Sequence, residues 1–333
     1  MIDIDSAYAH LYSLCSSVLG KSAPNPNVAA AIYSSEGVLI SEGVHNPEIS
    51  IDHAEVVAIE AAGVSARGAT IIVSLEPCNH TGQTGACVDA IIAAGISTVI
   101  FAVKDPNPLA SGGEARLRDA GIQVQYVENA PLREVQGAWL HRIESGRPYF
   151  IWKVATSLDG KIAAIDGSSQ WISSPESRED VQNLRTHADA ILVGTGTALA
   201  DNPTLRPRIE GAKAPLRIVM GTREVPSHFN LHDELSKTLF IRSNEVSDLL
   251  NALKDLPVNT VLVEAGPTLG SALFAAGVID ELVIYQASTL IGEGRSWLED
   301  IGVATINDAY KLPAPTITSC GPDLKFEYRL RGK

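Results

Sequence analysis

Two short stretches constrain this chain most: His53-Ala54-Glu55, and Pro77-Cys78-Asn79-His80 running on to Cys87. Together they offer one imidazole and two thiols, with a carboxylate two residues after the imidazole. A structural zinc closes its shell with four protein ligands. A catalytic zinc takes three and keeps a position for water, whose pKa it lowers toward neutrality. His53 stands at the start of a helical pattern over residues 52–63, and Cys87 opens another, CVDAIIAAG. Cys78 follows an apolar run over residues 69–75 that reads as a buried strand. Helix N-termini next to strands let the three side chains converge, and strands alternating with helices call for a layered α/β domain.

The rest of the first half fits that demand. Apolar residues at helical spacing predict a helix over residues 6–19, capped by Asp5 or Ser6. Pro24-Asn25-Pro26 is a rigid extended loop, and Asn25 within it offers a donor and an acceptor. Residues 28–32 and 38–40 read as a hairpin, and His45 beyond it as a solvated loop residue. A strand over 97–103, a short helix over 113–120 and a strand over 122–127 follow. A helix over 130–146 ends at Arg147-Pro148, where the domain boundary is placed. Two bland readings compete with catalysis. Buried cysteines are often simply small hydrophobes, and a structural zinc would need a fourth ligand, for which His80 is the nearby candidate.

His53-x-Glu55 with Pro77-Cys78 resembles the pattern of zinc nucleobase and nucleotide deaminases, where the glutamate is acid and base rather than ligand. Their common form is C-x-x-C, but here eight residues separate Cys78 from Cys87. That spacing, within LEPCNHTGQTGAC, resembles the deaminase half of the bifunctional riboflavin-pathway deaminase/reductases. The resemblance implies a cytidine-deaminase-like three-layer α/β domain over residues 1–146. It implies one zinc on His53, Cys78 and Cys87, Glu55 as the catalytic acid and base, and Asn25 of the PNPxV stretch as a substrate contact. The chain departs from the family at Asn79 (usually Ser), Gln83 (usually Lys or Arg) and Gly85-Ala86 (usually Pro-Pro). The change at Gln83 removes a cation suited to a substrate phosphate.

The second half continues the same family in order. The strand YFIWKVA leads to TSLDGK, then GSSQWI, AILVGTGT, DNPTLRPR and VLVEAGPTL. These resemble the reductase half, a dihydrofolate-reductase-like α/β domain using NADPH, expected over residues 147–333. Carried over, Ala155, Trp171, Thr197, Asp201, Thr222 and Gly266-Pro267-Thr268-Leu269 face the cofactor. Lys153, Ser169, Arg185, Leu205, Arg208 and Glu264 face the substrate. From the residues alone, the Gly266 turn before a helix suits a pyrophosphate. The Gly194-x-Gly196 turn lacks the third glycine of a Rossmann fingerprint. Lys153 and Glu264 on apolar strands must pair, because unpaired buried charge is costly. Late strands are expected over 287–294 and 314–329, the last as a ribbon that would join a homodimer.

The net charge of −13 carries no basic footprint, which argues against nucleic acid and for a small substrate. No apolar run approaches the ~20 residues of a membrane span. The acidic start MIDIDSAYAH has no basic signal region, so a cytoplasmic protein is expected. The sequence thus supports a deaminase joined to an NADPH reductase. The alternative is a zinc nucleotide deaminase fused to a nucleotide-binding domain without catalysis.

Overall fold

Apolar strands in each half build a separate sheet with its own core. A computed structural model of the chain describes residues 2–82 and 84–330, so Gln83 lies outside the described residues. The chain divides into two compact units, Met1–Gly146 and Arg147–Lys333.

The first unit contains α1 (Ile4–Ser17), β1 (Ala29–Tyr33), β2 (Leu39–Val44), α2 (Ala54–Ala62) and β3 (Thr70–Val73). It continues with α3 (Cys87–Ala94), β4 (Thr98–Phe101), α4 (Gly113–Asp119), β5 (Gln123–Tyr126), α5 (Ala130–Val135) and α6 (Gly137–Ser145). The sheet order is β2-β1-β3-β4-β5. β1 runs antiparallel to both neighbours, and β3, β4 and β5 are parallel. Every residue of β1 is buried, as a strand covered on both faces must be. α2 packs with α3, and α1 with α5; both α1 and α2 also reach β1. This is the expected three-layer arrangement.

Two local expectations are corrected. The cap of α1 is Asp3, not Asp5 or Ser6: its Oδ1 accepts from the amides of Asp5 at 3.2 Å and Ser6 at 3.4 Å. The single helix expected over 130–146 is two helices meeting at Gln136. Gln136 is fully buried and its Nε2 donates to the Ser74 carbonyl at 3.1 Å. Its backbone leaves helical geometry (φ −98°, ψ 1°).

The second unit opens with β6 (Tyr149–Ser157), β7 (Lys161–Ala164), α7 (Pro175–His187), β8 (Ala190–Gly194) and α8 (Thr195–Asp201). Next come β9 (Leu216–Met220), β10 (Thr238–Ile241), α9 (Val246–Leu253), β11 (Thr260–Val263) and α10 (Pro267–Ala275). It ends with β12 (Glu281–Ala287), β13 (Gly294–Ser296), β14 (Thr316–Cys320) and β15 (Asp323–Arg329). The main sheet runs β10-β9-β8-β11-β6-β12-β15-β14. It is parallel from β10 to β12 and antiparallel beyond. Alternation along its strands sends Leu192 and Val263 into one core, and Ile191, Val193 and Leu262 into another across the sheet.

The strand expected over 287–294 is corrected. β12 stops at Ala287, and only Gly294–Ser296 is strand again, paired with β7 in a small second sheet. Between them the Asp159 carboxylate accepts from the amides of Ile291 at 3.1 Å and Gly292 at 2.6 Å. These bonds hold the segment as a loop rather than a strand.

On β9, Arg217 is fully buried. It donates to the carbonyls of Asn230 and Asp233, each at 2.9 Å, and of Ser236, and pairs with the Asp233 carboxylate at 2.9 Å. One guanidinium thereby ties the segment from Asn230 to Ser236 to β9. Arg217→Met, similar in length, is expected to lose about 3 kcal/mol of stability, because three part-buried hydrogen bonds to carbonyls and the Asp233 ion pair lose their shared donor. Urea unfolding reads this; an unchanged midpoint would contradict the role.

Candidate active sites

In the first unit each ligand candidate sits where two kinds of element meet. His53 is the N-cap residue of α2, Cys87 is the first residue of α3, and Cys78 follows β3 on a buried segment. His53 Nδ1 lies 3.1 Å from Cys87 Sγ and 3.5 Å from Cys78 Sγ. All three ligand atoms lie within 4.8 Å of one another. Donors about 2.0–2.3 Å from a tetrahedral zinc stand roughly 3.5 Å apart, so the set fits that ion. His80 does not belong to the group, and the described residues supply three ligands rather than four.

The electrostatics suit a metal. The hydrogen bond from the Cys87 thiol holds the Cys78 thiol well below its ordinary value, with His53 helping, and the same bond to Cys78 together with burial pushes the Cys87 thiol up. The hydrogen bond to Cys78 raises His53, outweighing burial. Glu55 is buried, and burial together with the Cys78 charge pushes its carboxyl up to about 7. Glu55 lines a cavity of about 150 Å³ with Asn25, His53, His80, Asp105 and Asn107. Burial also raises Asp105, to about 6. His80 Nδ1 is buried there without a hydrogen-bond partner among the described residues.

His45, expected to be solvated, is buried instead. Its Nδ1 lies 2.8 Å from the Asp52 carbonyl and its Nε2 lies 2.9 Å from Asn25 Nδ2. A carbonyl only accepts, so Nδ1 carries the proton and Nε2 accepts from the Asn25 amide. That assignment turns Asn25 Oδ1 to other partners. The signal was the hairpin register: β2 returns beside β1, and the His45 amide donates to the Val28 carbonyl.

The Cys78 segment is clamped from several sides. The Asn79 amide donates to the Ala110 carbonyl at 2.9 Å, and the Glu114 amide to Glu76 Oε1 at 3.1 Å. A Cβ on Gly113 would lie 1.9 Å from the Pro77 carbonyl oxygen. Gly113→Ala must therefore displace Pro77 and with it Cys78. Zinc affinity is expected to fall about 10–100-fold, as for other supports of a metal ligand. Chelator competition measures it; unaltered affinity in a folded variant would contradict the account.

In the second unit, Lys153, Ala155, Ser169, Trp171, Arg185, Asp201, Arg208, Glu264, Gly266 and Pro267 line one cavity of about 520 Å³. Thr197, Thr222, Gly266, Thr268 and Leu269 line a second of about 520 Å³. Leu205 lines neither; its side chain is buried at φ 50°. Glu264 accepts from Arg185 Nε and Nη2, both at 2.7 Å, and Lys153 Nζ lies 3.7 Å away. Burial alone would raise the Glu264 carboxyl, but the Lys153 and Arg185 charges outweigh it and hold it at about 2. Two donors of the Arg185 fork are thus already engaged. Arg206 turns toward Asp233, at 3.7 Å. Exposed Trp171 carries the Arg178 guanidinium 4.6 Å from its ring centroid. Sequence reasoning missed Arg178, Arg223 and Arg295; arginines scattered along a chain give no sign of which cavity they line.

Residues 5–103 match the family model for the cytidine and deoxycytidylate deaminase zinc-binding region, and residues 148–326 the RibD C-terminal domain. The riboflavin biosynthesis protein RibD of Mycobacterium tuberculosis is 44% identical over 317 residues, covering 92% of this chain and 91% of that one. The Escherichia coli RibD is 37% identical, covering 90% and 92%. Among solved structures, the deaminase/reductase of Thermotoga maritima superposes with a TM-score of 0.90 at 30% identity, covering 98% of both chains. Acinetobacter baumannii RibD gives 0.88 at 32% identity, covering 97% and 98%. With three side chains fitted to a zinc in one unit, a paired cluster of charges in the other, and both family models matched in order, the chain belongs to the RibD family of riboflavin biosynthesis proteins.

Proposed function

We propose that the first unit hydrolytically removes the 2-amino group of a diaminopyrimidinone ribosylamine phosphate, and that the second reduces the ribosyl group to ribityl with NADPH. The Thermotoga maritima relative is named a diaminohydroxyphosphoribosylaminopyrimidine deaminase and 5-amino-6-(5-phosphoribosylamino)uracil reductase, which supports this reading. The observation that carries this reading is the three-ligand cluster beside buried Glu55.

His53, Cys78 and Cys87 would hold the zinc. When bound, it supplies a Lewis acid that makes water acidic near neutral pH. Glu55, at about 7, is poised to take a proton from water and return it to the departing amine. A carbon–oxygen bond forms, the carbon–nitrogen bond breaks, and ammonia leaves. Asn25, oriented by His45, offers its Oδ1 to the pyrimidine edge.

In the second unit Lys153, Ser169, Arg185, Arg208, Glu264 and the Leu205 backbone would position the substrate. Ala155, Trp171, Thr197, Asp201, Thr222 and the Gly266–Leu269 turn would hold NADPH, which when bound supplies hydride. Glu264 keeps Arg185 and Lys153 fixed, so only a small reorganisation is left for binding. A homodimer through this unit is supported by β14, an edge strand with Ile317 exposed. No helix among the described residues is long and apolar enough to cross a membrane.

The test is to assay ammonia release and NADPH oxidation on one preparation, with and without a chelator. Ammonia release is expected to stop with the chelator, while oxidation with the deaminated product continues. No oxidation in either condition would leave the second unit a binding module only.

A further inference from the structure

The second cavity of the reductase unit runs along the carboxyl ends of β8, β9 and β10. Gly194 pairs with Met220, and Met220 with Ile241. The segments that follow, 195–197, 221–223 and 242–244, therefore stand side by side at one sheet edge. Thr197, Thr222, Arg223 and Asn244 line this cavity together with Gly266 and Thr268. A smaller cavity of about 200 Å³ shares Thr195, Gly221 and Arg223 with it and adds Arg242.

Arg223 reaches back over the Gly196 turn: a Cβ on Gly196 would lie 2.9 Å from its Nη2. No ion pair with a described carboxylate engages Arg223 or Arg242, although Glu224 lines the smaller cavity. The chain carries a net charge of −13, with 39 acidic residues against 26 basic ones. Two guanidiniums left without a carboxylate in such a chain, at the rim of one cavity, make a place for an anion.

The order of the cavities says which anion. Ala155, Trp171 and Glu264 mark the end where substrate and nicotinamide would meet, and Gly266 belongs to both large cavities. The far end of an extended dinucleotide, its adenosine, then falls beside β9 and β10. A strand end that reads a ribose 2′-hydroxyl carries a carboxylate, and one that accepts a 2′-phosphate carries arginine. Here the strand ends read Gly221-Thr222-Arg223 and Arg242-Ser243-Asn244, without a carboxylate. We propose that Arg223, assisted by Arg242, holds the 2′-phosphate of NADPH and sets the preference for NADPH over NADH. This rests on the reading of the second unit as an NADPH reductase.

Calorimetric titration of the full chain with NADPH, NADH and adenosine 2′,5′-bisphosphate tests it without turnover. The wild type is expected to bind NADPH more tightly than NADH, with a gap that narrows as salt rises. Arg223→Met is expected to weaken NADPH and the bisphosphate about 10–100-fold, as loss of a charge-assisted bond does, and to leave NADH affinity unchanged. Arg242→Met shifts the same two ligands less, and Arg223→Lys, which keeps the charge and guards against misfolding, falls between. Parallel loss of NADPH and NADH in Arg223→Met, or unaltered NADPH binding, overturns the proposal. Failure of the wild type to bind either dinucleotide overturns the reductase reading itself.

Discussion

Glu55→Gln is expected to bind zinc as the wild type does and to release ammonia about 10²–10⁴-fold more slowly, the usual weight of a positioned acid and base. The amide keeps the shape of the carboxyl group, so the buried wall of the cavity survives. What it loses is the proton traffic. The Glu55 carboxyl is pushed up to about 7, so both protonation states are populated near neutrality, and Gln has no second state. Zinc content and ammonia release must be measured together. A variant that keeps the metal and full ammonia release would show that Glu55 is not the proton carrier. One that loses the metal would show that the carboxylate helps to bind it.

Glu264→Gln is expected to cost about 3–5 kcal/mol of stability in the reductase unit, the usual cost of stranding buried charges by removing their partner. Arg185 and Lys153 are both largely buried and face the same carboxylate. Its pH signature is specific. The folded-state pKa lies below the ordinary 4.5, at about 2, so the stabilisation is full above pH 4.5. It is lost as pH falls toward 2, because the unfolded chain takes up the proton first. Denaturant unfolding of wild type and variant across that window should therefore converge at the acid end. A constant gap from neutral pH to pH 2 would show that the pair does not act through its charge.

The zinc site was legible because its chemistry is local. Each ligand sits at an element boundary that the apolar runs and helical spacings already mark, so the sequence alone singles out His53, Cys78 and Cys87 together with Glu55. The strands were legible as far as they are buried on both faces, as β1, β8 and β11 are. What escaped was set by partners far along the chain. His45 takes its role from Asn25 and Asp52, which the hairpin register brings to it. The break at Gln136 depends on Ser74, and the loop over 288–293 on Asp159. The pairing of Arg185 with Glu264 was not legible, because nothing in the sequence ties α7 to the residue after β11.

The central claim is a zinc held by one ring nitrogen and two sulfurs with one position open. X-ray absorption at the zinc edge of the purified chain measures it most directly. The account predicts about two sulfur scatterers near 2.3 Å, one imidazole near 2.0 Å and one light scatterer that exchanges with added anions. A second imidazole in place of the exchangeable scatterer, lost in His80→Ala, would make the site structural and contradict the account.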